Sequence, residues 1–174
     1  MASRLSSGQP ARCPHSETTS CMQPSSQQVA ALLRQAEALC AARKLRFTAL
    51  RRQVLSLICR ARQPQGAYQL LEQLQASGRS AAPPTVYRAL DFLLEQGLIH
   101  RLASNNTYLA CVHPDHPHES VFLVCRHCGD TRELHTRGVN RALRQRAAEQ
   151  DFAIEHLAVE ISGACRRCSH KRAL

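Results

Sequence analysis

The stretch PPTVYRALDFLLEQG, residues 83–97, decides the fold class of this 174-residue chain. Two prolines favour the first turn of a helix, because proline lacks the amide hydrogen that this turn leaves unbonded. Gly97 supplies the C-terminal stop. The apolar residues between these signals recur at helical spacing and define a core face: Val86, Ala89, Leu90, Leu93 and Leu94. The stretch therefore predicts a helix whose other face exposes Tyr87, Arg88 and Asp91.

Three helices are predicted before this one. Apolar residues at helical spacing between Val29 and Cys40 predict a first helix that begins at Gln27 and ends near Arg43. Thr48 is a suitable N-cap for a second helix, which stops before the Gln63–Gly66 breaker, and a third helix runs from about Ala67 to Gly78. Residues 1–26 are rich in Ser, Gln, Pro and Thr without hydrophobic periodicity, and we expect them to be disordered.

Two extended runs follow the fourth helix. Leu98–Ala103 and Thr107–Val112 flank the turn sequence 104–106, which is typical of a hairpin. Three or four helices followed by a hairpin predict a winged helix-turn-helix. We place this DNA-binding domain at residues 27–103, with the wing strand and a hinge at 104–110.

Residues 111–170 predict a second, small α/β domain. Strands are expected at Val121–Cys125, at Thr131–Leu134 and at Phe152–Ile161, and a helix carries Val139, Leu143 and Ala147. A domain of roughly 60 residues is near the lower size limit for folding without a metal or a partner. The predicted fold class is α+β, with the winged-helix domain first and this domain second.

The charge lies mainly on the first domain. The chain has 23 Lys and Arg residues against 13 Asp and Glu residues, and +7 of its net +10 falls within residues 22–102. This excess implies a polyanionic partner, most simply nucleic acid. The 44% of apolar residues excludes a mainly disordered chain. No apolar stretch suits a membrane span or a secretory signal, so we expect a cytoplasmic protein.

Two Cys-x-x-Cys pairs predict a structural zinc site. Four thiolates can surround a tetrahedral zinc ion and leave no coordination position open: Cys125, Cys128, Cys165 and Cys168. The competing interpretation is a thioredoxin-like redox role for one pair. The βαβ context that such a motif requires is absent from the sequence.

A second group of potential ligands surrounds a His- and Pro-rich loop. Its members alone indicate only a divalent transition metal, and a solvated surface loop is the alternative: His100, Cys111, His113, Asp115, His116, His118, Glu119 and Glu133. Cys111 bears on the choice of metal. A thiolate beside imidazoles favours zinc over manganese or ferrous iron.

The exposed face of the fourth helix suits the reading of DNA bases. Arg88 can pair with guanine in the major groove, and Tyr87 can pack on a thymine methyl group. Thr85 lies at the start of the same helix. Arg51 and Arg52 on the second helix would contact phosphates and position the protein without specifying sequence.

Three motifs together resemble the ferric-uptake-regulator (Fur) family of metal-dependent repressors. They are PPTVYRALDFL at 83–93, FLVCxxCG at 122–129 and the closing Cys165-x-x-Cys168, within a similarity that covers about residues 27–170. The run from Thr85 to Gly97, continuing to His100, is most similar to the zinc uptake regulator branch. The resemblance implies a homodimer in which each protomer joins a winged-helix domain to an α/β dimerisation domain.

The resemblance also implies a regulatory zinc site. Carried over residue by residue, the ligands of that branch fall on His100, Cys111, His118 and Glu133. The loop is about one residue shorter than the branch pattern, so His116 or Glu119 could compete with His118. We therefore expect two zinc ions per protomer, one structural and one regulatory.

The expected function is that of a zinc-responsive transcriptional regulator. The zinc-loaded homodimer would bind palindromic operators and repress zinc-uptake genes. The alternatives are an iron- or other metal-responsive repressor of the same fold and, from a different class, a zinc-dependent hydrolase. The hydrolase is disfavoured because Glu133 as a fourth ligand would close the position that a catalytic zinc needs. We expect no enzymatic activity.

Overall fold

The structure is a computed structural model, and it describes residues 25–78, 81–112, 114, 120–134, 137–155 and 157–170. Its helices and strands, numbered in chain order, are α1 Ser26–Ala42, α2 Ala49–Arg60, β1 Gln65–Gly66, α3 Ala67–Ala76, α4 Pro83–Glu95, β2 Ile99–Leu102, β3 Thr107–Ala110, β4 Val121–Cys125, β5 Thr131–Leu134, α5 Arg137–Ala148, β6 Val159–Gly163 and α6 Arg166–His170. This order of helices and strands confirms the predicted α+β fold class.

The first half of the chain packs four helices against a small antiparallel sheet. Its strand order is β1-β3-β2. The α4 helix contributes most to the core. Four residues of its predicted face are buried, Val86, Ala89, Leu90 and Leu93, whereas the fifth, Leu94, is partly buried; Phe92 is buried without having been predicted. Thr48 caps α2 as predicted, its side chain accepting a hydrogen bond from the Arg51 amide. The predicted hairpin is present, with Ile99 paired to Ala110 and Leu102 to Thr107.

The second half builds a separate sheet in the order β5-β4-β6. β4 and β5 are antiparallel, whereas β4 and β6 are parallel. Phe122 pairs with Glu133 on one side and with Glu160 on the other, so these three side chains share one face of the sheet. This face meets the hairpin. Apolar side chains from both halves form one buried cluster there: Leu102, Leu109, Phe122 and Val124.

Two predicted boundaries are wrong, and one short strand was not predicted. The predicted tail 1–26 overlaps α1, which begins at Ser26 under a capping box formed by Ser25 and Gln28. In the predicted strand Phe152–Ile161, the described residues pair only from Val159 onward. Val159 pairs with the first residue of the five-residue strand β4, so β4 offers no pairing position to the described residues before it. The Gln63–Gly66 breaker contributes a short strand, β1, that periodicity did not predict.

Several residues singled out from the sequence lie outside the described parts of the chain. They are the tail before residue 25 and, in the ligand-rich loop, His113, Asp115, His116, His118 and Glu119. His156, which falls in the predicted last strand, is also outside them.

Substitution of two glycines tests whether the positive φ that follows α4 requires glycine at Gly97. Gly97 has a positive φ of +69°, whereas the φ of Gly138 in α5 lies outside the left-handed region. An added Cβ would meet nothing within 4 Å at either position. Gly97→Ala should therefore lower the free energy of unfolding by about 1–2 kcal/mol through backbone strain alone. Gly138→Ala should leave it unchanged or raise it by up to about 1 kcal/mol. Urea unfolding followed by circular dichroism measures both, and equal effects would contradict the argument.

Candidate metal and DNA-binding sites

The two Cys-x-x-Cys pairs meet at one end of the second sheet. Cys125 ends β4, and a turn carries the chain to Cys128 and to Gly129, which has a φ of +70°. The parallel register places Gly163 beside Cys125, and Cys165 follows two residues later. Strand pairing therefore brings together pairs that lie 37 residues apart in the chain.

The sulfur atoms of these cysteines are spaced as metal ligands. All four Sγ atoms lie within 4.8 Å of one another. Cys128 Sγ and Cys165 Sγ are 3.7 Å apart. Two sulfurs bound to zinc at about 2.3 Å with tetrahedral angles would be about 3.8 Å apart, whereas a disulfide bond is only about 2.05 Å long. The cluster therefore fits a tetrahedral thiolate site.

Hydrogen bonding favours the anionic form of two of these thiols. The Cys165 amide donates to Cys125 Sγ at 3.3 Å. This and further backbone hydrogen bonds lower the pKa of Cys125 to about 6. A hydrogen bond from the Cys168 amide likewise lowers the pKa of Cys165. Thiolates are the form in which cysteine binds metals. A side-chain hydrogen bond with Cys128 raises the pKa of Cys168 to about 12, so the backbone favours the thiolate at Cys125 and Cys165 and not at every member of the cluster.

The remaining buried thiols of the helical half have the opposite character. Cys40 and Cys59 belong to the apolar core between α1, α2 and their neighbours. Burial raises the pKa of Cys40 and raises that of Cys59 to about 12. Both therefore stay protonated near neutral pH and act as small apolar side chains.

A second group of potential ligands lies where the two halves of the chain touch. His100 Nε2 of β2 is 3.8 Å from Glu133 Oε1 of β5, although these residues belong to different sheets. The Glu133 side chain is only 8% exposed, and it also accepts a hydrogen bond from the Ser120 hydroxyl. The His100 ring packs on Phe122 with the ring centres 5.2 Å apart. Two of the four expected regulatory ligands are therefore neighbours.

Cys111 lies close to this group without completing it. Its amide donates to the Leu98 carbonyl at 3.0 Å, which extends the β2–β3 pairing by one residue. By this pairing Cys111 occupies the same face of the hairpin as His100, and it is 2% exposed. Within the described parts of the chain, only the four-cysteine group brings three or more potential ligands together. His118 and its competitors His116 and Glu119 lie outside those parts.

The base-reading candidates lie together on the exposed face of α4. Thr85, Tyr87 and Arg88 are exposed in the first two turns, where a recognition helix meets base edges. Their neighbours Val86 and Ala89 are buried in the core. The packing of these two residues sets the rotation of the helix about its axis and so keeps the candidates on its exposed side. The register that the sequence predicts for this helix is the register observed.

The two candidate phosphate contacts are held by other protein groups. The Arg51 guanidinium lies over the Phe92 ring at 3.4 Å and donates to the Arg46 carbonyl. Arg52 Nε donates to Glu37 Oε1 at 2.6 Å, and both side chains of this pair are about half exposed. Arg51 therefore braces α2 against α4, whereas Arg52 forms a surface ion pair.

One contact at the cysteine cluster was not anticipated from the sequence. Gln63 Nε2 donates to the Cys128 carbonyl at 2.8 Å, and its side chain lies against Gly129. Gln63 belongs to the breaker between α2 and α3, so this bond ties the helical half to the cysteine cluster. A polar residue between helices carries no pattern that predicts a partner 65 residues away.

Comparisons with known proteins agree with this architecture. The model of the ferric uptake regulator family matches residues 42–162. The chain belongs to the ferric uptake regulator family. The zinc uptake regulation protein of Escherichia coli K12 is 43% identical over 138 residues, which is 79% of this chain and 81% of that protein. Because the family consists of regulators, membership confirms the expectation that the chain is not an enzyme.

Solved structures extend the similarity to the arrangement of most of the chain. A zinc uptake regulator complexed with zinc and DNA superposes with a TM-score of 0.80 at 41% identity, covering 84% of this chain and 98% of that one. A second structure, holo XcZur, gives 0.75 at 40% identity, covering 80% and 98%. In the described parts of this chain, no helix is long and apolar enough to cross a membrane.

The different settings of Arg51 and Arg52 predict different effects on stability. Arg51→Ala removes a stack on Phe92 and should lower the free energy of unfolding by about 1 kcal/mol. Arg52→Ala breaks an exposed ion pair and should cost less than about 0.5 kcal/mol. Urea unfolding of the two variants compares the same change in charge at neighbouring positions. A larger loss for Arg52→Ala would contradict the bracing role of Arg51.

Proposed function

We propose that this chain is a zinc-responsive transcriptional repressor, whose zinc-loaded homodimer binds palindromic operators and represses zinc-uptake genes. The observation that carries the proposal is the 3.8 Å approach of His100 to Glu133. One residue belongs to the hairpin of the helical half and the other to the second sheet. Similarity to zinc uptake regulators over most of the chain supports zinc as the metal.

The proposed regulatory site consists of His100, Cys111, His118 and Glu133, with His116 or Glu119 as competitors for the place of His118. Nitrogen and thiolate donors favour zinc over metals that prefer oxygen. Zinc bound there would link the hairpin to the second sheet. The chain's own contribution is to hold Glu133 in place through Ser120 and to orient the His100 ring on Phe122. An iron-sensing repressor of the same fold would prefer a donor set without the Cys111 thiolate.

The proposed structural site is the four-cysteine cluster, so that two zinc ions bind per protomer. A closed set of four thiolates leaves no open position for chemistry. Its contribution is stability, because metal-binding free energy of this kind is also folding free energy. The second half needs such help, since the apolar residues Val139, Leu143, Phe152 and Ile161 remain exposed rather than forming a core.

The same exposed residues support the homodimer. Apolar side chains on α5, on β6 and between them would be covered by a second copy of the chain. A two-fold dimer presents two α4 helices, which matches the symmetry of a palindromic operator. We therefore assign dimerisation to residues 111–170 and DNA binding to residues 27–103, joined through 104–110. A repressor of this kind works in the bacterial cytoplasm, where cysteines remain reduced.

DNA recognition is assigned to α4 and the surface beside it. Tyr87 and Arg88 would contact base edges and Thr85 the adjoining backbone. Arg51 and Arg52 would contact phosphates. Each guanidinium would then give up or share its contacts within the protein, which for Arg52 is the ion pair with Glu37. The charge of +7 within residues 22–102 supports this half as the one that meets DNA.

Zinc sensing then follows from linkage. If the arrangement that joins His100 to Glu133 is the one that fits the operator, zinc and DNA favour the same population. Zinc must therefore tighten DNA binding, and DNA must tighten zinc binding by the same factor.

The proposal is tested by Cys111→Ser, which removes the regulatory thiol. The probe is a DNA duplex selected from random sequences by the zinc-loaded wild-type protein. The variant should need about a hundredfold or more free zinc for half-maximal binding, because loss of a ligand exceeds the 10–100-fold effect of losing a residue behind one. It should remain folded and keep one zinc per protomer. Fluorescence anisotropy in zinc buffers measures the binding.

Cys59→Ala is the matched control, because it removes a buried thiol that lies in the helical core. Its zinc dependence should match that of the wild-type protein. A Cys111→Ser variant with the same zinc dependence as the control would refute the regulatory assignment.

A further inference from the structure

The hairpin of β2 and β3 is attached to the second sheet at two separate points. At one point His100 meets Glu133 of β5. At the other, the carboxylate of Glu160 on β6 accepts hydrogen bonds from two consecutive backbone amides of the hairpin turn. The Ala103 amide donates to Oε1, and the Ser104 amide donates to Oε2 at 3.3 Å. These bonds span 57 and 56 residues of sequence.

The sheet register explains why both attachments can exist at once. Glu133 and Glu160 are the two register partners of Phe122, so they lie on one face in one row, separated by two strand spacings. Two spacings amount to about 10 Å, and the three residues from His100 to Ala103 also span about 10 Å in a strand. β2 therefore lies across the second sheet from β5 to β6, along the row formed by Glu133, Phe122 and Glu160.

The two attachments differ in chemistry. Glu133 faces an imidazole and belongs to the proposed regulatory site, so a metal bound there would complete its link to the hairpin. Glu160 is bonded to main-chain amides, which carry partial positive charge and need no metal to bind a carboxylate. The turn is further ordered by Arg101 Nε, which donates to Asn106 Oδ1 at 2.9 Å.

We propose that Glu160 is a positioning residue that clamps the hairpin turn to the second sheet independently of the regulatory metal and so presets the orientation in which the regulatory site closes. The metal-linked part of this inference rests on the function proposed above. With its turn bonded to Glu160, the hairpin can move relative to the second sheet mainly by rotating about that turn. Bringing His100 to Glu133 then costs less conformational entropy, so zinc binds the regulatory site more tightly than it would without the Glu160 contact.

The test compares Glu160→Gln with Glu155→Gln in the full-length zinc-bound chain. Both variants remove one carboxylate charge from the second half, and Glu155 is exposed. Glutamine keeps the shape of Glu160 but loses the charge that makes its bonds to two amides strong. In Glu160→Gln we expect the free zinc for half-maximal binding of the selected duplex to rise about three- to tenfold. Glu155→Gln should match the wild-type protein.

Amide hydrogen exchange separates the clamp from the proposed function. With one zinc per protomer, exchange at Ala103 and Ser104 should be about three- to tenfold faster in Glu160→Gln than in Glu155→Gln. The zinc count should stay at one, which excludes damage to the four-cysteine site. Equal exchange rates in the two variants would overturn the clamp. DNA binding by wild-type protein that ignores zinc would overturn the proposed function, while the exchange measurement would still decide on Glu160.

Discussion

The packing of the β2–β3 hairpin across β4 joins the two halves of the chain and brings their candidate ligands together. Leu102 and Leu109 come from the hairpin, and Phe122 and Val124 come from the second sheet. This small apolar contact is where a helical domain and a separate sheet become one molecule. The His100–Glu133 approach lies at one end of it and the Glu160 contacts at the other. Because this contact is small, a ligand that binds between the two halves could shift the equilibrium between their arrangements.

The two halves depend on such links to different degrees. The helical half has a core that includes Leu70, Leu74, Leu90 and Leu93, all fully buried. The second half buries mainly β4, and the apolar residues of α5 face outward in the protomer. A metal in the cysteine cluster and a second copy of the chain are the proposed sources of its further stability. Gln63 joins the stable half to this cluster through the Cys128 carbonyl.

The sequence predicts local features well and long-range contacts poorly, for physical reasons. The bounds of α4 follow from Pro83, Pro84 and Gly97, because helix starts and stops depend on nearby residues. The cysteine cluster follows from the spacing of its pairs. The short extent of β6 depends on the length of its partner β4, and Glu160 meets a turn 57 residues away. No periodic pattern encodes such partners. The sequence places His100 and Glu133 in one group of potential ligands, and the family resemblance selects them from that group as members of one site.

We propose that metal at the junction of the two halves, rather than at the cysteine cluster, controls DNA binding. Titration of the wild-type protein with buffered free zinc distinguishes the two sites. Native mass spectrometry counts zinc per protomer while anisotropy follows the selected duplex. We predict that the first zinc binds without DNA binding and that DNA binding rises with the second. Full DNA binding at one zinc per protomer would contradict control by the junction site. Full DNA binding with ferrous iron at a lower free concentration than zinc requires would contradict zinc as the regulating metal.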